Sequence, residues 1–133
     1  MGKLIDKVGL ALVRDGKVLL ARSRGDAFFQ IPGGKVEASD ADDVAALVRE
    51  IREELGVEVD PASAHLLGLF SAEAAGKPGV VVQVKLYRAA IAGDPAPCAE
   101  IEELLWHPLS EDLSAGTDTV RLKIIPYLRG AAG

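Results

Sequence analysis

The run Asp40-Ala41-Asp42-Asp43-Val44-Ala45-Ala46-Leu47-Val48-Arg49-Glu50-Ile51-Arg52-Glu53-Glu54-Leu55-Gly56 reads as one amphipathic helix. Val44, Leu47, Val48, Ile51 and Leu55 recur at helical spacing and make a single apolar stripe. Asp40, Asp42 and Asp43 crowd its start, where carboxylates accept from free N–H groups and suit the helix dipole. Gly56 follows as a C-terminal stop. At about 100° per residue, Glu50, Glu53 and Glu54 share a sector whose centre points away from the stripe.

Working outward, the helix is flanked by strand-like runs. Residues 8–13 and 18–22 bracket Arg14-Asp15-Gly16-Lys17, and Asp-Gly between β-prone runs marks a hairpin. A short run, 28–31, stops at Pro32-Gly33-Gly34, which reads as a turn. Beyond Gly56 come a short strand at 57–59, a break at Asp60-Pro61, and a strand at 66–70. A loop is expected at 72–79, then a long strand at 80–91, a second loop at 93–99 and a short strand at 103–107. A second amphipathic helix is expected over 117–125, ending near Pro126, with 130–133 a frayed tail. Strands on both sides of one strong helix, plus a terminal helix, predict an α/β fold with a mixed sheet.

Composition narrows the function. The chain has 133 residues, 49% of them apolar, which suits one domain with a packed core. Fifteen Lys plus Arg stand against 20 Asp plus Glu, which argues against a nucleic-acid polymer as partner. The longest apolar runs are too short to span a bilayer, and the first residues lack the apolar stretch of a signal peptide. The lone Cys98 leaves no internal disulfide and suits a reducing cytoplasm. His65 and His107 are isolated and read as structural.

Nine of the 20 acidic residues lie between Glu37 and Asp60, interrupted by Arg49 and Arg52. Three glutamates on adjacent turns repel one another unless cations lie between them. An exposed acidic face with an Arg49–Glu53 pair is one reading of such a helix. The turn ahead of it supports another, in which carboxylates and a backbone carbonyl hold a hard cation such as Mg²⁺.

The stretch Gly33-Gly34-Lys35-Val36-Glu37, followed by Arg49-Glu50-Ile51-Arg52-Glu53-Glu54-Leu55-Gly56-Val57, resembles the Nudix box. Phe29-Gln30-Ile31-Pro32 ahead of it is also similar to that family's pattern. Two departures stand out. One extra residue lies between Gly34 and Arg49, and Asp40 stands where the family has Glu, in a structural role. The resemblance implies a single Nudix domain over residues 1–133, with an α/β/α sandwich around a mixed sheet.

It also implies a Mg²⁺-dependent pyrophosphohydrolase, with Mn²⁺ a possible substitute, acting on a nucleoside diphosphate derivative. Glu50, Glu53 and Glu54 would be metal ligands, joined by the Gly34 carbonyl and by an outer acidic residue. Glu100, six residues before Trp106, is preferred for the latter over Glu102 and Glu103. Arg49 would orient the carboxylates, and Glu37 would sit in the outer shell. Arg22, Arg24 and Lys35 lie near the expected phosphate path, though strand-edge cations also serve solubility. Phe28, Phe29 or Tyr87 could stack on a base or belong to the core, while Trp106 reads as core.

The flanking loops are short, which favours a nucleoside triphosphate, oxidised or not, releasing the monophosphate. ADP-ribose or another nucleotide sugar is the alternative substrate, and a non-catalytic nucleotide sensor the alternative role. The expected state is a cytoplasmic monomer or homodimer with a small-molecule nucleotide as partner and no membrane.

Overall fold

The computed structural model describes residues 2–74 and 77–132. Its strands, in chain order, are β1 (Lys3–Leu10), β2 (Val13–Arg14), β3 (Lys17–Ser23), β4 (Gly33–Lys35), β5 (Glu58–Val59), β6 (His65–Glu73), β7 (Val80–Arg88), β8 (Ile91–Ala92) and β9 (Ile101–Pro108). The helices are α1 (Asp43–Leu55) and α2 (Ile125–Ala132), the latter continuing directly from a π-helical stretch, Thr119–Ile124. β4-β1-β7-β6 form one sheet, β2-β3-β9 a second, and β5-β8 a short pair. The first sheet is mixed: β1 runs parallel to β7 and antiparallel to β4.

Strand alternation divides the interior into two cores. Val8, Leu10, Leu19 and Tyr87 meet Leu47, Ile51 and Leu55 of α1. Val18, Leu20, Val84 and Leu86 meet Val120, Ile124, Ile125 and Leu128 on the other side. Helices therefore cover both faces, giving the α/β/α sandwich around a mixed sheet. Leu47, Ile51 and Leu55 are fully buried, and truncating any one to Ala costs about 2–5 kcal/mol.

The hairpin forms at Asp15-Gly16, with φ of 52° and 73°, the left-handed pair that matches strand twist. Several local readings are corrected. Pro32-Gly33-Gly34 is not a turn, because Gly33–Lys35 is strand β4, hydrogen-bonded to β1. The main helix starts at Asp43 rather than Asp40, with Asp42 as its N-cap accepting from the Ala45 N–H at 2.8 Å. β6 runs through Glu73, beyond the expected 66–70, and β7 stops at Arg88 before a separate β8. The expected loop at 72–79 includes Ala75 and Gly76, which lie outside the described residues.

The terminal helix does not end near Pro126. Its first part is π-helical, and the Ile125 N–H donates to the Val120 carbonyl five residues back. Pro126, next in line, has no N–H to donate and falls where the π-helical stretch gives way to α2, so the widened turn accommodates the missing bond. Residues 130–132 continue this helix rather than fraying, and Gly133 lies outside the described residues.

Candidate active site

The site begins with how firmly α1 is held. Asp42 caps its start, and Asp43 pairs with Lys85 of β7 at 3.0 Å. Gly56 closes its end in the left-handed conformation, its N–H donating to the Arg52 carbonyl at 3.0 Å. The helix is regular from Asp43 onward, so the extra residue between Gly34 and Arg49 is absorbed in the lead-in before Asp43.

β4 lies against this helix, and its two glycines permit the contact. Gly33 has φ +150° and faces the Val8 carbonyl so closely that any Cβ would overlap it. Its N–H donates to Glu54 Oε1 at 2.9 Å. At Gly34 an added Cβ would collide with the carboxylate of Glu50. The strand backbone is thus pressed onto two carboxylates of the helix.

Arg49 ties the lead-in to the helix. Its guanidinium donates to both Asp40 oxygens at 3.0 and 2.9 Å, to Glu50 Oε1 at 2.8 Å and to the Lys35 carbonyl at 3.2 Å. Glu37 and Glu53 lie 3.8 and 3.7 Å from it. Asp40 also accepts from the Glu37 N–H at 2.7 Å, and the Arg49 fork holds its carboxyl below the usual range. Arg49 is in turn held more firmly protonated by Asp40.

The three glutamates do not form one uniform acidic face. Glu54 is buried, 7% exposed, while the Glu53 side chain is 54% exposed. Burial pushes the Glu54 carboxyl up to about 8, against the pull of the Gly33 N–H, with Glu50 and Glu100 adding to the rise. Glu50 is also raised by burial, while Arg49 opposes the shift.

Glu50, Glu54, Glu37, Lys35, Gly34 and Glu100 line a cleft of about 370 Å³. Glu100 stands in the turn before β9, its carbonyl accepting from the Arg24 N–H at 2.7 Å. Beside the cleft lies a second cavity of about 300 Å³, between the sheet and the π-helical stretch. Its walls combine Ile5, Val82, Val84, Val120, Ile124 and Phe28 with Asp26, Glu73, Lys77, Thr117 and Asp118.

Several other candidates lie elsewhere. Arg22 turns away, bonded to Glu102 and Glu103 at 3.1 Å each and to the Asp26 carbonyl at 3.1 Å. That pairing also occupies the two rival acids to Glu100. Arg24 is exposed and lines neither cavity, and Glu53 is not part of the cleft lining. Phe29 and Tyr87 are buried in the two cores and present no stacking face. Trp106 packs against the α1 core beneath Arg14, 5.8 Å from its ring centre. His107 is buried and paired with the Glu111 carbonyl at 2.8 Å, while His65 is exposed.

Sequence reading missed Lys7 and Gln30, which line both cavities. The available signal was a lysine at an inward-facing position of an otherwise apolar strand half.

As they stand, no three His, Cys, Asp or Glu side chains among the described residues converge to enclose a metal ion. Glu50 is drawn to Arg49 and Glu54 to the Gly33 N–H. The donors nevertheless fit a hard divalent cation. They are all oxygen, and the carboxyls of Glu50 and Glu54, raised first by burial and then by neighbouring acids, would be favoured in their ionised form by such an ion.

A sandwich of this kind, with Arg49-Glu50-Ile51-Arg52-Glu53-Glu54 on a helix pressed against a Gly-Gly strand, has the architecture of the Nudix hydrolase class. The chain belongs to the Nudix family, whose model, described as NUDIX domain, matches residues 3–128. It is 45% identical over 60 residues to the CTP pyrophosphohydrolase of Escherichia coli (strain K12). That match covers 42% of this chain and 44% of the relative, less than half of its length. The crystal structure of the MutT NUDIX hydrolase from Burkholderia pseudomallei aligns with a TM-score of 0.72 at 31% identity, covering 90% of this chain and 95% of that one. The MutT protein from Methanosarcina mazei aligns at 0.79 over 99% and 98% of the two chains, and at 19% identity it shows the fold alone. The chain is thus a member of the Nudix hydrolase family, whose enzymes generally use divalent metal ions.

Proposed function

We propose that this chain is a Mg²⁺-dependent pyrophosphohydrolase that cleaves the diphosphate linkage of a nucleoside triphosphate, oxidised or not, and releases the monophosphate. The supporting observation is the pair of adjoining cavities. One is walled by Glu37, Glu50, Glu54 and Glu100, the other by a mixed lining in which aliphatic side chains and Phe28 stand beside Asp26, Glu73, Lys77, Thr117, Asp118 and Thr119. A cavity of about 300 Å³ suits one nucleobase and its sugar better than the two halves of a dinucleotide.

Glu50, Glu53, Glu54, Glu100 and the Gly34 carbonyl are the proposed ligands, with Mn²⁺ able to replace Mg²⁺. When bound, the metal neutralises the diphosphate and lowers the pKa of its water. Arg49 orients Glu50 by direct hydrogen bond and fixes the lead-in through Asp40. Lys35, exposed at the cleft edge, is the proposed phosphate partner on β4. Phe28, exposed on the wall of the second cavity, is the proposed stacking face for the base.

The 133 residues act on this reading as one Nudix domain, and free Cys98 suits a cytoplasmic setting. Among the described residues, no helix is long and apolar enough to cross a membrane.

The test is a panel of nucleoside triphosphates, CTP included, with ADP-ribose and a nucleotide sugar alongside. Mg²⁺-dependent release of a monophosphate from at least one triphosphate is expected. Turnover confined to ADP-ribose or the sugar nucleotide would move the substrate class. Tight binding without turnover would make the chain a sensor.

A further inference from the structure

Lys7 occupies a costly position. Strand alternation places it with Ile5 and Gly9 on one face of β1, whose neighbours across β7 are Val82, Val84 and Leu86. A lysine there gives up hydration, and burial lowers its ammonium pKa. The charges of Glu54, Asp26 and Glu50 offset part of that cost, but none of them is bonded to the ammonium, whose hydrogen bond among the described residues is one of 3.3 Å to Gln30 Oε1. An ammonium has three N–H donors, so two stay available.

The location says what those donors face. Lys7, Asp26, Gln30, Ile31 and Gly33 line both cavities and so form the neck between them. A nucleotide with its base in the cavity beside the π-helical stretch and its diphosphate in the acidic cleft must cross this neck. The part that crosses is the sugar and the phosphate attached to it. Cations are needed there, because Asp26 in the neck and the four glutamates of the cleft repel a phosphate.

We propose that Lys7 is a substrate-binding residue whose ammonium donates to the phosphate attached directly to the nucleoside, with Gln30 holding the ammonium in place. This rests on the nucleotide-hydrolase reading above and adds a cation from β1 that the Nudix box does not contain. It binds the part of the substrate kept in the monophosphate product. Its loss therefore weakens product and substrate together.

The experiment compares wild type, Lys7→Met and Lys7→Arg on whichever triphosphate turns over. It measures kcat, KM and Tm, and the affinities for the monophosphate product and for the bare nucleoside in Mg²⁺. Lys7→Met keeps the stem length and removes the charge, so Tm should not fall. KM and the monophosphate Kd should each rise about tenfold or more, the loss expected for a charged hydrogen bond. Nucleoside affinity should stay within twofold, and Lys7→Arg should recover part of the loss. Unchanged monophosphate affinity in Lys7→Met would overturn the proposal, as would an equal loss for nucleoside and monophosphate, which would place Lys7 at the base. Should Lys7→Met not fold, Lys7→Arg decides. Retained preference for monophosphate over nucleoside supports the phosphate contact, and its loss overturns it. Failure of wild type to hydrolyse any triphosphate would sink the parent reading, whereas normal wild-type turnover with an indifferent Lys7→Met sinks the Lys7 assignment alone.

Discussion

On one face of the sheet, α1 is a regular helix closed at both ends by Asp42 and Gly56 and tied to β7 through Asp43 and Lys85. On the other face, Thr119–Ile124 winds as a π-helix before tightening into α2, and Asp118 at its start makes no side-chain cap bond among the described residues. The regular cover holds Glu50 and Glu54 against β4, with the Gly33 N–H on Glu54 at 2.9 Å. The wider winding belongs to the wall of the 300 Å³ cavity, which Thr117, Asp118, Thr119 and Val120 line. Side chains that must keep a fixed spacing sit on the helix with the stricter geometry. Room for a ligand is left beside the looser one, as is common where π segments meet functional sites.

The largest way to break this division is Glu54→Gln on the regular cover. It keeps shape and helix propensity but removes the buried carboxylate. Turnover should fall by roughly two orders of magnitude or more, and the rise of Tm with Mg²⁺ should shrink. Affinity for the monophosphate's nucleoside part should persist, since Glu54 does not line that cavity. Near-wild-type turnover in this variant would remove Glu54 from the site.

The same carboxyl gives a pH test without metal. Its folded value of about 8 lies above its ordinary 4.5, so the folded chain holds the proton more tightly than the unfolded one. Stability should therefore fall as pH rises from about 4.5 to about 8 and level off above that window. Glu50, shifted in the same direction by burial, adds to the fall. Calorimetry in chelator should show Tm dropping across this range, with a flatter profile for Glu54→Gln. Saturating Mg²⁺ should reduce or reverse the drop, because a cation favours the ionised carboxylate. A wild-type profile that is flat in chelator would mean that Glu54 is solvated.

On the looser side, Val82→Phe should fill part of the second cavity from β7. kcat/KM for a nucleotide should drop about tenfold, mainly through KM, as substrate loses a share of its apolar burial. The Mg²⁺-dependent Tm rise should survive. Loss of both together would show that the two sides are not separable.

The smallest effects compare the two helix starts. Asp42→Ala removes a cap bond and should cost about 1 kcal/mol, or about 3–5 °C in Tm. Asp118→Ala loses only an exposed pair with Arg121 and should cost less than about 0.5 kcal/mol. Equal costs would mean that the π-helical start is held by contacts that its side chain does not show.

What could be read from sequence follows the same split. The α1 stripe, its Gly56 stop and the Asp15-Gly16 hairpin are local patterns, and each appears where its residues place it. Helical periodicity puts Glu50, Glu53 and Glu54 in one sector but is blind to the strand that lands on it. Glu54 is buried and Glu53 exposed because β4 covers only one edge of that sector. Pro32-Gly33-Gly34 misleads because glycines that usually bend a chain here allow a strand to come close. Pro126 misleads because the π-turn before it moves the start of α2 to where a proline is tolerated. Arg22 and Lys7 depend on pairings distant in the chain, Arg22 with Glu102 and Glu103 and Lys7 with Gln30, which no local pattern announces.

The adjacent glycines of β4 would separate cleanly in a saturation library. At position 33 every replacement drives an atom into the backbone of Val8, which belongs to a central strand and cannot step aside. Such clones should vanish from a selection that asks only for soluble, folded protein. At position 34 the obstacle is the far end of the Glu50 side chain, which can swing away. Alanine there should pass the folding selection and drop out only when survival depends on hydrolysis. Two neighbouring codons would then report two different properties, one the integrity of the sheet and the other the aim of a single carboxylate.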